Sequence, residues 1–150
     1  MRARLTPDDL AAGQLVNPGW HPSEIVSYSE EAASTDGSTN GIIRFKIIDG
    51  KFKGARFRVL YNEKAMGFAA PLLLALGAKV NKDTGIDAEL SEKTLVGRKL
   101  DVNIRRGETN KKNPFNEPVD FAPIGTVTKY KDGDDTPPTA PVPDVPTPKK

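Results

Sequence analysis

Few side chains in this sequence are suited to covalent or metal chemistry. The chain of 150 residues contains no cysteine and one histidine, His21. A nucleophile with its base, or a typical zinc site, needs more partners than these. Three carboxylates, Asp83, Asp87 and Glu89, are close in sequence, but they lack the spacing of a calcium loop, and Gly85 between them is more typical of a turn. We therefore expect a protein that is not an enzyme and that has no cofactor or metal.

Basic side chains offer a different chemistry, the binding of phosphate groups. Residues 40–131 contain 18 Lys and Arg against 10 Asp and Glu, a net charge of +8. Residues 1–39 have a net charge of −4, and residues 132–150 have a net charge of −2. A basic middle between acidic ends indicates a polyanionic partner. The alternative is that these cations form an ordinary solvent-exposed face of a sheet and bind no ligand.

Single-stranded nucleic acid also requires exposed aromatic rings, on which bases stack. Phe52 and Phe115 are the candidates, whereas Trp20, Tyr28 and Tyr61 are expected to be buried, the more frequent position of large aromatic residues in strands. Together with the basic residues, they complete a set of candidate nucleic-acid-binding residues. The set is Arg44, Lys46, Phe52, Lys53, Arg56, Arg58, Arg105, Arg106, Lys111, Lys112 and Phe115.

A predicted β-hairpin positions most of these cations. Residues 41–48 and 51–61 are rich in β-branched and aromatic residues, and Asp49-Gly50 between them is typical of a type I′ turn. Side chains in a strand alternate between its two faces. The apolar face therefore contains Ile43, Phe45, Ile47, Phe57, Val59 and Tyr61, and the cationic face contains Arg44, Lys46, Arg56 and Arg58.

The remaining elements suggest a fold class. We predict strands over 20–28, 98–106 and 118–131, a helix over 65–76 that ends at Gly77, and a polar loop over 107–118. The chain is then mainly β, with the order of a five-stranded OB-like barrel that has one helix between strands three and four. A small β-sandwich is the alternative. Residues 1–18 would form an N-terminal arm with a short helix over 7–12, residues 19–131 the OB-like binding domain, and residues 132–150 a disordered Pro-rich tail.

Several short motifs carry a family resemblance across residues 19–124. They are Gly19-Trp20, Asp49-Gly50 and Lys53-Gly54 within 43–61, Tyr61-Asn62, the leucine-rich segment ending in Leu76-Gly77, and residues 95–102. With these motifs the sequence resembles small phage and prophage proteins of unassigned function that are encoded near replication and recombination genes. The resemblance implies an OB-like single-strand binder. Lys149-Lys150 departs from the acidic tip with which phage single-strand binders recruit partners.

The expected function is sequence-independent binding of single-stranded DNA in phage replication or recombination. The tail is a candidate site for a protein partner, and a homo-oligomer is compatible with the sequence. The alternative is a non-enzymatic protein-interaction or virion structural component. The N-terminus lacks the apolar run of a signal peptide, and no stretch approaches the roughly 18 apolar residues of a membrane span. We therefore expect no membrane association and a location in the cytoplasm of the bacterial host.

Overall fold

The computed structural model describes residues 1–33 and 36–131, and its main feature is one five-stranded antiparallel sheet. The strands are β1 (Gly19–Ala32), β2 (Thr39–Ile47), β3 (Arg56–Asn62), β4 (Lys99–Glu108) and β5 (Pro114–Pro123). Their order in the sheet is β3-β2-β1-β4-β5. The predicted mainly β class is confirmed. The sheet is not closed, since β3 and β5 are its two edges.

The long strand β1 joins the two halves of the sheet. Residues 19–24 pair with β4, residues 23–32 pair with β2, and the register with β2 shifts at Val26. Such a shift bends a strand and increases its twist. The bent sheet has two distinct faces. The inner face carries the hydrophobic core, and the outer face lies on the opposite side.

The inner face follows the predicted alternation. Ile43, Phe45 and Ile47 of β2 are fully buried, and the rings of Phe45 and Phe57 stack with 4.8 Å between their centroids. The other strands contribute Ile25, Tyr61, Leu100, Val102 and Ile104 to the same core. Because these side chains all point inward, the intervening residues of β2 and β3 must point outward.

The connection between β2 and β3 is longer than the predicted two-residue turn. Residues 48–55 fold back on themselves, with Gly54 N donating to Ile47 O at 2.8 Å and Ala55 N donating to Phe52 O at 3.0 Å. Gly50 and Gly54 both have positive φ, at 86° and 94°. A chain reversal with two left-handed positions favours glycine at both. The strand predicted from residue 51 thus begins at Arg56.

The helical segments are short. The predicted short helix is confirmed as α1 (Pro7–Ala12), which begins after a Thr6 cap. Instead of one helix over 65–76, a 3₁₀ segment (Glu63–Ala69) leads into α2 (Ala70–Ala75), and α3 (Glu92–Leu95) follows before β4. Ala65 has non-helical angles, φ −135° and ψ 42°, which separate the start of the 3₁₀ segment from its end. None of the described helices has the length and apolar content needed to cross a membrane.

Two chain segments outside the sheet pack against it. Val16 is buried, and Asn116 of β5 fixes the backbone there by accepting from Val16 N and donating to Gln14 O. After β5, the chain crosses the outer face of β4, where the carboxylate of Asp101 accepts hydrogen bonds from Val127 N, Thr128 N and Thr128 Oγ1. Asp101 is fully buried as a result. The predicted tail, residues 132–150, lies outside the described residues.

Candidate nucleic-acid interface

Four cations form two rows on the outer face of β2 and β3. Lys46 lies opposite Arg56, and Arg44 lies opposite Arg58 in the antiparallel register. Arg44, Arg56 and Arg58 are exposed, and Lys46 is half-buried. We call these four residues the cation quartet. Hairpin periodicity predicted that they share a face, and the structure confirms it.

Opposed like charges are unfavourable for the sheet itself. Directly opposite residues of an antiparallel pair have Cβ atoms roughly 4.5–5.5 Å apart, and cross-strand pairs affect stability by about 0.2–1 kcal/mol. Both rows of the quartet place cation against cation. An anion bound over the rows would remove this repulsion.

The protein itself does little to neutralise the quartet. Arg44 Nη1 donates to the hydroxyl of Ser29 at 3.2 Å. Within the described part of the chain, no carboxylate lies within 4.0 Å of a charged nitrogen of the quartet. On the adjacent strand β1, Glu24 lies opposite Lys46, and Glu30 and Glu31 lie farther along, opposite Gly41 and Asn40. The four charges therefore remain available to an external anion.

Lys53 extends the cationic surface from the β2–β3 connection. It lines a cleft of about 620 Å³ together with Lys46 and Arg56 of the quartet. Asp8 of α1 and Glu24 line the same cleft, so its charge is mixed at the edges. Tyr130 forms part of the wall.

The cations of β4 are engaged within the protein. Arg105 Nε forms an ion pair with Glu117 Oε1 at 2.8 Å, and this hydrogen bond raises the pKa of Arg105 above its usual value. Arg106 Nη2 donates to Val16 O at 2.9 Å and so helps to hold the N-terminal segment. Among the described residues, the quartet has no such ion pair, and its one side-chain hydrogen bond is that of Arg44 to Ser29.

Lys111 and Lys112 lie between β4 and β5, at the tip of a different hairpin from the quartet. Both are exposed, and Lys112 has a left-handed φ of 63°. The predicted loop over 107–118 is shorter in the structure, because β4 continues to Glu108 and β5 begins at Pro114. The structure brings Lys53 to the quartet and leaves these two lysines on a separate element.

The two predicted stacking residues differ in exposure. Phe52 is half-buried against the core and meets the ring of His21 edge-on, with 5.8 Å between centroids. Phe115 lies in β5 opposite Gly107 and is 39% exposed. A Cβ atom on Gly107 would approach the Phe115 ring to 2.7 Å, so this ring lies directly against the glycine.

The side chains that were considered for catalysis or metal binding do not come together in the described structure. His21 Nε2 donates to the carbonyl oxygen of Asn17 at 2.8 Å. Asp83, Asp87 and Glu89 do not converge, and across residues 1–33 and 36–131 no group of three or more metal-ligating side chains forms.

An exposed aromatic residue that the sequence did not single out lies near the two edges of the sheet. Phe68, in the 3₁₀ segment, is 78% exposed. It lines an apolar groove of about 390 Å³ between the two edges of the sheet, with Leu60 and Tyr61 of β3 and Val119 and Phe121 of β5. We call this the edge groove. Phe68 lies inside the helix that the sequence predicted over 65–76, and in the structure the backbone departs from helical angles at Ala65.

Leu60 connects the quartet with the edge groove. Along β2 and β3, the row after Arg44–Arg58 is Ile42–Leu60, in which Ile42 is buried and Leu60 is 44% exposed. Leu60 also lines the edge groove. No protein-family model matches the sequence, and a search of the curated proteins finds no significant match. Assignment of a function therefore depends on the chemistry of this surface, which combines unneutralised cations with exposed apolar side chains.

Proposed function

We propose that the protein binds single-stranded DNA without sequence preference and acts in phage or prophage replication or recombination, in the cytoplasm of the bacterial host. The observation that supports this is the cation quartet, four charges in two rows that no described carboxylate neutralises. Phosphate contacts supply most of the affinity of a non-specific nucleic-acid binder. Lys53 adds a fifth cation beside the quartet.

An OB-like fold is part of this proposal. OB folds are five-stranded, partly open barrels that bind oligonucleotides on the face of strands two and three. The quartet lies on that face, on β2 and β3. Reading a duplex usually requires a helix or a β-ribbon that enters a groove, whereas a sheet face with cations and exposed apolar residues suits an unpaired strand.

Binding of a labelled oligo-dT, followed by fluorescence anisotropy over a range of salt concentrations, tests the proposal. For single strands, log K falls with log salt by about 0.7 for each phosphate neutralised. Four contacts predict a slope of about −3, and hence affinity about 50-fold weaker at 200 mM than at 50 mM salt. Absence of binding at low salt would contradict the proposed function.

The double variant Arg44→Glu/Arg58→Glu tests the location of the site. Loss of two phosphate contacts should reduce the slope by about 1.4 and weaken binding at 50 mM salt on the order of tenfold or more. Lys79→Glu/Lys82→Glu is the matched control, because it makes the same change in net charge at exposed positions outside the strands. Equal losses in both variants would show that only net charge matters and that the quartet is not the site.

A second candidate function is binding to an acidic protein, as an interaction module or virion component. The observation in its favour is that β3 and β5 are edge strands, and an edge strand can pair with an extended segment of a partner. Under this alternative, oligo-dT does not bind at low salt. We also propose that the Pro-rich tail recruits a protein partner and that the protein forms a homo-oligomer. Both proposals are compatible with either candidate function.

A further inference from the structure

We propose that the edge groove is a nucleobase subsite in which Phe68 is the stacking platform. This inference rests on the proposed function and adds to it the place where bases bind. Phe68 is 78% exposed, and Leu60, Val119 and Met66 near it are between 37% and 44% exposed. An exposed ring at the rim of an apolar groove has a free π-face, which every base can use.

The position of the groove determines its occupant. Leu60, which lines the groove and is 44% exposed, is two residues along β3 from Arg58, a step of about 7 Å. Only a sugar separates the phosphate of a nucleotide from its base. A strand whose phosphates lie on the quartet therefore places its bases beside Leu60 and Phe68. The ligand that combines anionic groups with flat apolar rings at this spacing is a single-stranded nucleic acid.

The lining of the groove also predicts how bases are recognised. Its described lining contains no charged residue, and its one side chain with amide groups is Asn62. Asn62 Nδ2 donates to Ser38 Oγ and Asn40 Oδ1, and its Oδ1 accepts from Lys64 N. These internal bonds occupy the amide. The other polar side chain of the described lining, Tyr61, is 5% exposed. The side chains of the groove therefore hold bases mainly by their faces, which agrees with binding that is independent of sequence.

Substitution of Phe68 separates stacking from phosphate binding. Phe68→Ala should weaken binding of oligo-dT roughly 5- to 150-fold, the range expected for loss of one stacked base. The salt slope should stay unchanged, because the phosphate contacts remain. An abasic oligonucleotide of the same length should bind wild type and Phe68→Ala equally. Phe68→Tyr, which keeps an aromatic face, should retain most of the affinity, and Phe68→Leu should lose it.

Val80→Ala is the control for removal of an exposed apolar side chain, since Val80 is 63% exposed and does not line the edge groove. If wild type binds oligo-dT and the Arg44/Arg58 variant weakens binding while Phe68→Ala does not, the subsite is wrong and the proposed function stands. If wild type binds neither oligonucleotide, the proposed function itself fails.

Two further results would overturn the subsite. One is a dimer in sedimentation that Phe68→Ala converts to monomer. The other is a gain in oligo-dT affinity on removal of residues 132–150 that Phe68→Ala abolishes, since this would assign the groove to the tail.

Discussion

At the scale of single residues, the outer face of β2 and β3 is arranged for a ligand at some expense in stability. Arg44 opposes Arg58 and Lys46 opposes Arg56, although a sheet is more stable with opposite charges in such pairs. The inner face shows no such conflict, since Phe45 and Tyr61 are buried among apolar neighbours. The stabilising and the ligand-binding residues of the hairpin thus lie on opposite faces of the same strands.

The phenol of Tyr61 provides a test of the inner face. Burial raises the pKa of Tyr61 to about 12 from the ordinary value of 10.0. Because the folded pKa is the higher one, the neutral phenol contributes stability that is complete below pH 10 and is lost as the pH rises through 12. Between pH 9 and pH 11.5, wild type should lose about 2 kcal/mol more free energy of unfolding than Tyr61→Phe. Urea unfolding of both proteins at the two pH values measures the difference, and equal losses would show that Tyr61 is accessible to water.

At the scale of elements, the N-terminal segment is fixed to the sheet by side chains from β4 and β5. Asn116 bonds to Val16 N at 3.0 Å and to Gln14 O at 2.9 Å, and Arg106 bonds to Val16 O at 2.9 Å. Asn116 Nδ2 also lies 3.4 Å from Arg56 O at the start of β3. One amide therefore links the arm with the strand that carries half of the quartet.

Removal of the Asn116 side chain should loosen this link. Asn116→Ala leaves the part-buried Val16 N without its acceptor, and loss of such bonds costs about 1–3 kcal/mol in the free energy of unfolding. Amide hydrogen exchange at Val16 should become faster. Asn113→Ala, at an exposed position in the same hairpin, is the control and should change stability by less than about 0.5 kcal/mol. Unchanged exchange at Val16 would show that Arg106 and the burial of Val16 suffice to hold the arm.

At the scale of the whole molecule, the two halves of the outer face differ. Residues 126–128 cover β4 through Asp101, whereas Arg44 of β2 and Arg56, Arg58 and Leu60 of β3 are exposed. The buried hydrophobic residues of the described chain all lie between Val16 and Ile104. The domain is therefore expected to fold with nearly full stability without residues 132–150.

Removal of residues 132–150 tests this expectation. The melting temperature should change by less than about 2 °C, because a segment that buries no core contributes little to the free energy of unfolding. The truncated protein also loses a net charge of −2, so oligo-dT binding should be as strong as in the full chain or slightly stronger. Thermal unfolding by circular dichroism gives the comparison. A fall of more than about 5 °C would mean that the tail packs on the domain.

The sequence alone predicted the mainly β class and the two faces of the β2–β3 hairpin, because the direction of a side chain in a strand depends on the local pleat. It also predicted α1, whose cap is made by Thr6 and Asp9, three residues apart. Every one of these features depends on neighbours along the chain or on alternation within a strand. They are the part of the structure that local pattern determines.

The tertiary structure decided which side chains are free to bind. Arg105 and Arg106 resemble the quartet residues in sequence, but pairing of β4 with β5 places Glu117 beside Arg105, and docking of the arm places Val16 beside Arg106. Asp101 points outward, because it alternates with the buried Leu100 and Val102, and a segment 26 residues away then buries it. Phe68, three residues after the break in helical geometry at Ala65, is 78% exposed. Periodicity fixes where a side chain points, whereas what covers it depends on contacts between residues far apart in the chain, which no local pattern contains.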